Sequence, residues 1–198
     1  WHVCAVLTNG AVKCWGYNAT GQLGTGDTNQ STIPAAVKGI DGLQNYAIGV
    51  AATGVFSCVL LQDGTIRCMG TNDAGQLGTG DTVPSLVPVP TQPPLKALAI
   101  AVGGSTVCAE TSKSSVSCWG DGALGQLGNG TSKGSLVPVT VNLPAGIAVD
   151  SFALRIAHAC VLSTEGEIWC WGSNSFGQLG NGTTADSNVP VKVAAPYL

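Results

Sequence analysis

The residues of this sequence with the most evident chemistry are eight cysteines. They fall into four pairs, Cys4 and Cys14, Cys58 and Cys68, Cys108 and Cys118, Cys160 and Cys170, each ten positions apart. Such a pair can form a disulfide, stay as two packed thiols, or ligate zinc. Zinc ligands normally stand roughly two to four residues apart, and no His cluster accompanies the cysteines. His2 and His158 each lie two residues before a cysteine, where the other pairs have Phe56 and Thr106. A slot that accepts Phe is a packing slot, so no metal ligand is assigned. No catalytic residue is assigned either: there is no Gly-x-Ser-x-Gly elbow, and two histidines are too few for repeated acid–base work.

Other strings imitate known sites. The run from Gly120 through Gly122 to Gly125 fits the dinucleotide-binding pattern, but that motif must open a helix and here another tight turn follows. Asn18, Asn72 and Asn174 occupy the slot held by Gly122, which suggests a left-handed position that both residue types tolerate. Gly-Gln-Leu-Gly-x-Gly loops might cradle phosphate, yet none is followed by the Lys-Ser/Thr of a P-loop. No cofactor is expected. Asp27 and Asp81 share a loop slot with Thr131 and Thr183 and read as solvated turns. Asn18, Asn29, Asn129 and Asn181 begin Asn-x-Ser/Thr sequons and are the candidate glycosylation sites.

These residues are positioned by a repeat. Gly-Gln-Leu-Gly recurs at 21–24, 75–78, 125–128 and 177–180, always seven residues after the second cysteine of a pair. Ten residues beyond its last glycine stands a proline: Pro34, Pro88, Pro138 and Pro190. Four units, about 1–41, 42–94, 95–144 and 145–198, make one region spanning 1–198. Each unit reads as strands. Val3–Leu7 and Ala11–Trp15 flank Thr8-Asn9-Gly10, a three-residue hairpin loop with Gly at the left-handed position. Gln62-Asp63-Gly64 and Thr164-Glu165-Gly166 repeat that loop, whereas Ser112-Lys113-Ser114 lacks the glycine and should be strained. A third strand is expected at each proline, as in Val137–Val141 and Val189–Val193, and a fourth in the apolar runs Tyr46–Ala52, Leu98–Val102 and Phe152–Ile156. Four short strands per unit of about 50 residues describe a propeller blade. No segment shows a helical period.

In such a hairpin the two cysteines of a pair face each other at about 4.5 or 5.5 Å between Cα atoms, and disulfides accept roughly 4.4–6.8 Å. That favours four disulfides within hairpins and an oxidising compartment, with paired thiols and zinc as competing readings. Trp15, Trp119 and Trp171, with Met69 in the second unit, follow the second cysteine and read as core. The sharper alternative is a ring of Trp lining a glycan or peptide groove. Leu23, Leu77, Leu127 and Leu179 read as plugs between blades.

Cys-x-Leu, a Gly turn, Cys-Trp-Gly, Asn and Gly-Gln-Leu-Gly-x-Gly before Pro-x-x-Val together resemble the regulator of chromosome condensation repeat. More narrowly they resemble its cysteine-paired variant of secreted or surface proteins. The resemblance implies a β-propeller, normally seven-bladed, acting as an interaction surface. Here there are four units, and the chain opens at Trp1 without Met, a leader or the first apolar run. The expectation is therefore an all-β part of a larger propeller, with a closed four-bladed ring as the alternative.

Of the 198 residues only 8 are Lys or Arg and 11 Asp or Glu, a net charge of −3. That balance lacks the basic footprint of a nucleic-acid binder, and no run of 18 residues is apolar enough for membrane insertion. The expected function is a non-catalytic, secreted or cell-surface propeller with a protein partner or a self-assembly role, glycans being possible. The low charge favours the assembly version, since partner contacts relax the need for charged solubility. The alternatives are guanine-nucleotide exchange on a small GTPase, which the founder of the resembled family implies, and an inhibitor or glycan-binding propeller.

Overall fold

The computed structural model describes residues 1–194. Among these there are fifteen strands and no helix. The first sheet has three strands, β1 (His2–Val6), β2 (Ala11–Gly16) and β3 (Ser31–Asp41), in the order β1-β2-β3. The second contains β4 (Ala47–Ala52), β5 (Phe56–Leu61), β6 (Ile66–Gly70) and β7 (Ser85–Pro90). The third contains β8 (Ala99–Gly103), β9 (Thr106–Ser112), β10 (Ser115–Gly120) and β11 (Ser135–Thr140). The fourth contains β12 (Val149–Arg155), β13 (His158–Ser163), β14 (Ile168–Gly172) and β15 (Ser187–Lys192). Each is an antiparallel meander in chain order, which is the plan of a propeller blade. Residues 195–198 of the expected fourth unit lie outside the described residues.

The hairpin glycines Gly10, Gly64 and Gly166 all have φ near +80° (79°, 83° and 83°), as their loops require. The third blade differs from expectation. Ser112 pairs with Ser115, and a bulge then shifts the register so that Val116 opposes Glu110. The loop shortens instead of straining, and no non-glycine residue takes a positive φ among the described residues. The third strands also differ: each begins three residues before its proline, so Pro34, Pro88, Pro138 and Pro190 lie inside β3, β7, β11 and β15. These are the outermost strands of their sheets, where a missing N–H forfeits no ladder bond.

β4, β8 and β12 lie side by side along the inner edge of the arc, and β1 stands next to β4 because the first sheet has no inner strand of its own. Three hydrophobic clusters fill the seams. Val12, Cys14, Leu23 and Ile40 of the first blade meet Val59, Leu61 and Met69 of the second. Cys58, Leu60, Ile66 and Leu77 meet Val107, Ala109 and Trp119. Cys108, Val116, Cys118 and Leu127 meet Ala159, Val161 and Trp171. Every blade thus has a trailing face, carrying its cysteines and plug leucine, and a leading face carrying the residue after the second cysteine. Among the described residues the seams join consecutive blades only and the arc is open, which removes the closed four-bladed ring.

Candidate functional site

In the first, second and fourth blades the long loop that leads into the outermost strand is built around one asparagine. Asn72 is fully buried. Its Nδ2 donates to the Asp81 carbonyl at 3.0 Å, the Val83 carbonyl at 3.1 Å and the Thr79 hydroxyl at 3.2 Å. Its Oδ1 accepts from Leu77 N at 2.9 Å. Asn18 does the same with Asp27 and Asn29 carbonyls at 3.0 and 2.9 Å and with Leu23 N at 2.9 Å. Asn174 repeats it with the Thr183 and Ala185 carbonyls, both at 3.0 Å, and Leu179 N at 2.9 Å. A buried amide that satisfies backbone groups on both limbs fixes the loop, and thereby delivers the plug leucine to the seam. Leu23, Leu77, Leu127 and Leu179 are all fully buried.

In the third blade the left-handed account of Gly122 fails. Neither Gly122 nor the three asparagines has a positive φ. Gly122 is needed for space: a Cβ there would stand 2.1 Å from the Lys133 carbonyl oxygen and 2.6 Å from its carbon. The loop backbone occupies the volume that an asparagine fills elsewhere. Sequence reasoning missed the hub. Its signal was the fixed place of Asn three residues before the first glycine of the motif in three units.

All four cysteine pairs are disulfides: Cys4–Cys14, Cys58–Cys68, Cys108–Cys118 and Cys160–Cys170, each with Cα atoms 4.1 Å apart. In every hairpin the two cysteines are direct cross-strand partners. No metal-holding group of His, Cys, Asp or Glu occurs among the described residues. Trp119 and Trp171 are fully buried and donate through Nε1 to the carbonyls of Gln76 at 3.0 Å and Gln126 at 2.9 Å, each in the preceding blade. Their burial overturns the idea of a tryptophan-lined groove. Trp15 remains partly exposed on the leading face of the first blade.

An exposed aromatic pair lies instead on one rim. Trp1 is 89% and Tyr17 47% exposed, and with Gly54 and Val55 they line a cleft of about 340 Å³. On the opposite rim Leu43, Tyr46, Leu61 and Asp63 border a second cleft of about 370 Å³. Tyr46 is anchored there by its hydroxyl, which donates to the Thr8 carbonyl at 2.8 Å.

The titratable groups serve turns and seams. Asp63 accepts from the Thr65 hydroxyl and backbone N–H and from Lys96, which hold its carboxyl down at about 2. Asp81, expected to be merely solvated, is kept ionised by the Thr79 hydroxyl, Val83 N–H and the Asn72 hub. Glu167 is lowered by Lys192, whose ammonium also lies 5.9 Å from the Trp169 ring centre. His2 is pushed down to about 4 by burial, with a smaller push from the N-terminal ammonium. Its Nε2 contacts the Ser57 hydroxyl at 2.5 Å, a seam contact. Burial, then Arg155, lowers His158 too.

The sequons separate by position. Asn29 is exposed, and Asn129 and Asn181 are partly exposed. Asn18 is a correction: buried, with its Nδ2 committed inside the hub, it has no room for a glycan in the folded chain.

Four radially stacked meanders with buried seams define the chain as a β-propeller arc. The sequence profile of the Regulator of chromosome condensation (RCC1) repeat matches residues 9–60, 63–109 and 165–197. The chain belongs to this family. It is similar to the Ultraviolet-B receptor UVR8 of Arabidopsis thaliana, 30% identical over 98% of this chain and 44% of the receptor. It also resembles human Protein RCC2, 39% identical over 42% of this chain and 16% of that protein. Among solved structures, human WBSCR16 superposes with a TM-score of 0.86 at 27% identity, covering 98% of this chain and 51% of that one. Prp20p of Saccharomyces cerevisiae gives 0.84 at 21%, covering 98% and 50%, and shows the shared fold. The chain spans about half the length of these larger matches or less.

Proposed function

We propose that this chain is a non-catalytic protein-interaction propeller of a secreted or cell-surface protein. The observation that carries the reading is the set of four disulfides, one per blade, because such bonds form and persist in oxidising compartments. The rim cleft of Trp1 and Tyr17 supplies the exposed aromatic surface on which a partner's apolar side chains would dock. Related propellers are known by their protein complexes; one structure has Kap60 bound to yeast RCC1 (Prp20), and another treats the binding of Prp20p to Gsp1p and histones. Glycans on Asn29, Asn129 and Asn181 fit the same compartment. The test is alkylation of native protein with iodoacetamide, with and without prior reduction. All eight cysteines should be protected until reductant is added; eight reactive thiols would overturn the reading.

A second reading, nucleotide exchange on a small GTPase, is favoured by the likeness to Prp20p. It predicts faster nucleotide release from a GTPase in the presence of this chain. An unchanged release rate removes it.

A further inference from the structure

The rim opposite Trp1 carries the cleft of about 370 Å³, which the protein-binding reading leaves unused. It lies between the hairpin turn of the second blade, Gln62-Asp63-Gly64, and the linker 43–46 that enters that blade. An adjoining cleft of about 320 Å³ opens on the other side of the turn, where Lys96 and Leu98 lead into the third blade. Gln62 and Asp63 line both, so the two make one groove with the turn as its ridge. The groove is bounded by the second blade and the linkers on either side of it, away from both ends of the arc.

Its lining is rich in groups that bind hydroxyls and carries no unmatched charge. Gln44 and Gln62 are exposed, and among the described residues neither side-chain amide has a partner. Asn45 commits its Nδ2 to the Gly39 carbonyl at 2.8 Å and keeps its Oδ1 free. Asp63 is held in place: its Oδ1 accepts from Thr65 N at 2.9 Å, and its Oδ2 accepts from the Thr65 hydroxyl at 2.7 Å and Lys96 Nζ at 3.0 Å. Each carboxylate oxygen can accept twice, so Oδ1 has a place left. Lys96 matches the charge of Asp63, and among the described residues no other charged side chain lines either cleft. Tyr46 supplies the aromatic wall. Its ring lies against Gly10, where a Cβ would stand 2.4 Å from it, and its hydroxyl is tied to the Thr8 carbonyl, so the ring is fixed with its other side to the cleft. The fold makes no demand for an aromatic there. Lys96 and Ala148 hold the same place in the third and fourth blades, just before the residue whose N–H donates to the preceding hairpin turn.

We infer that this groove binds a neutral saccharide, with one sugar ring in the cleft beside Tyr46 and the next unit across the Gln62-Asp63 ridge. A sugar hydroxyl both donates and accepts, and a planar side-chain amide or carboxylate can take two neighbouring hydroxyls at once. That match favours a sugar over a peptide. The apolar C–H face of a pyranose stacks on a tyrosine ring, which is apolar in body and polar only at its tip. The volume lies within the roughly 300–1,000 Å³ of small-ligand sites. A charged ligand would find no free opposite charge here, because Asp63 and Lys96 already neutralise each other. The inference does not depend on the compartment or the protein partner proposed above, and its failure would leave that reading standing.

The test is a titration of the isotope-labelled, oxidised chain with cellotetraose, chitotetraose and mannotetraose, read by two-dimensional amide NMR. At least one of these sugars should shift the side-chain amides of Gln44 and Gln62 and the backbone amides of Tyr46 and Asp63, and leave the Trp1 indole unmoved. Gln44→Ala and Gln62→Ala, both at exposed positions, should each weaken binding about tenfold, the scale of a hydrogen bond or two. Tyr46→Ala copies Ala148 of the fourth blade and should remove measurable binding, while a dispersed spectrum and four intact disulfides show that the chain is folded. No shift with any of the three sugars would overturn the inference, as would shifts centred on Trp1 and Tyr17 or binding that all three substitutions leave unchanged. A capped Leu-Ala-Leu peptide that shifts the groove where the sugars do not would give it to a protein chain and overturn the inference too.

Discussion

The second and third blades sit side by side, fully enclosed by neighbours, and reach the same architecture by different local means. The second has the glycine hairpin turn, the asparagine hub and Met69 at its leading face. The third has a bulged hairpin, Gly122 in place of the hub, and Trp119. In both, the plug leucine and both cysteines are fully buried. What the blades share is therefore the seam, and the loops vary as long as they deliver the leucine and the disulfide to it.

That comparison can be broken most strongly at the hub. Asn72→Ala strands Leu77 N and the Asp81 and Val83 carbonyls in the interior, and should cost about 3 kcal/mol by urea denaturation, the upper range for buried groups left unpaired. A loss below about 1 kcal/mol would mean that the loop holds itself, as the third blade's does. Next, removing the second blade's disulfide with Cys58→Ala/Cys68→Ala should lower stability by about 2.5 kcal/mol, as chain entropy assigns to so short a loop. The equivalent change at Cys108 and Cys118 should match it; a clear inequality would show that the hairpin loop, which differs between the blades, modulates the staple. Gly122→Asn should not transplant the hub. Its Cβ meets backbone that has no room to shift, so the variant should lose about 2 kcal/mol, the usual scale of overpacking. A stabilised variant would contradict the account of the third loop.

The smallest effect concerns pH. Burial holds the folded pKa of His2 at about 4, below the ordinary histidine value of 6.5. A depressed pKa favours the neutral ring in the folded state, so its contribution is present above about 6.5 and is lost as pH falls toward 4. His2→Phe, copying Phe56 in the second blade, should flatten stability between those values. An unchanged slope would assign the acid sensitivity elsewhere.

Much of the architecture is legible in the sequence because it repeats. The ten-residue cysteine spacing, the hairpin glycines and the fixed Gly-Gln-Leu-Gly register are local, and local geometry alone places Cys58 opposite Cys68. The function of Asn72 is not local in that sense. It depends on which carbonyls, nine and eleven residues later, the loop folds back over it, so an Asn-for-Gly exchange looks like turn chemistry when read along the chain. The same limit hid the burial of the Asn18 sequon. The aromatic cleft brings together residues about fifty positions apart, such as Trp1 and Val55, and no spacing rule announces it.

The central claim is that each blade carries its own staple, closed within one hairpin at a seam. Peptide mapping by mass spectrometry of native, non-reduced protein tests it directly. The account predicts four linked peptide pairs, Cys4 with Cys14, Cys58 with Cys68, Cys108 with Cys118 and Cys160 with Cys170. A bond between blades, or free thiols at any of these positions, would contradict it.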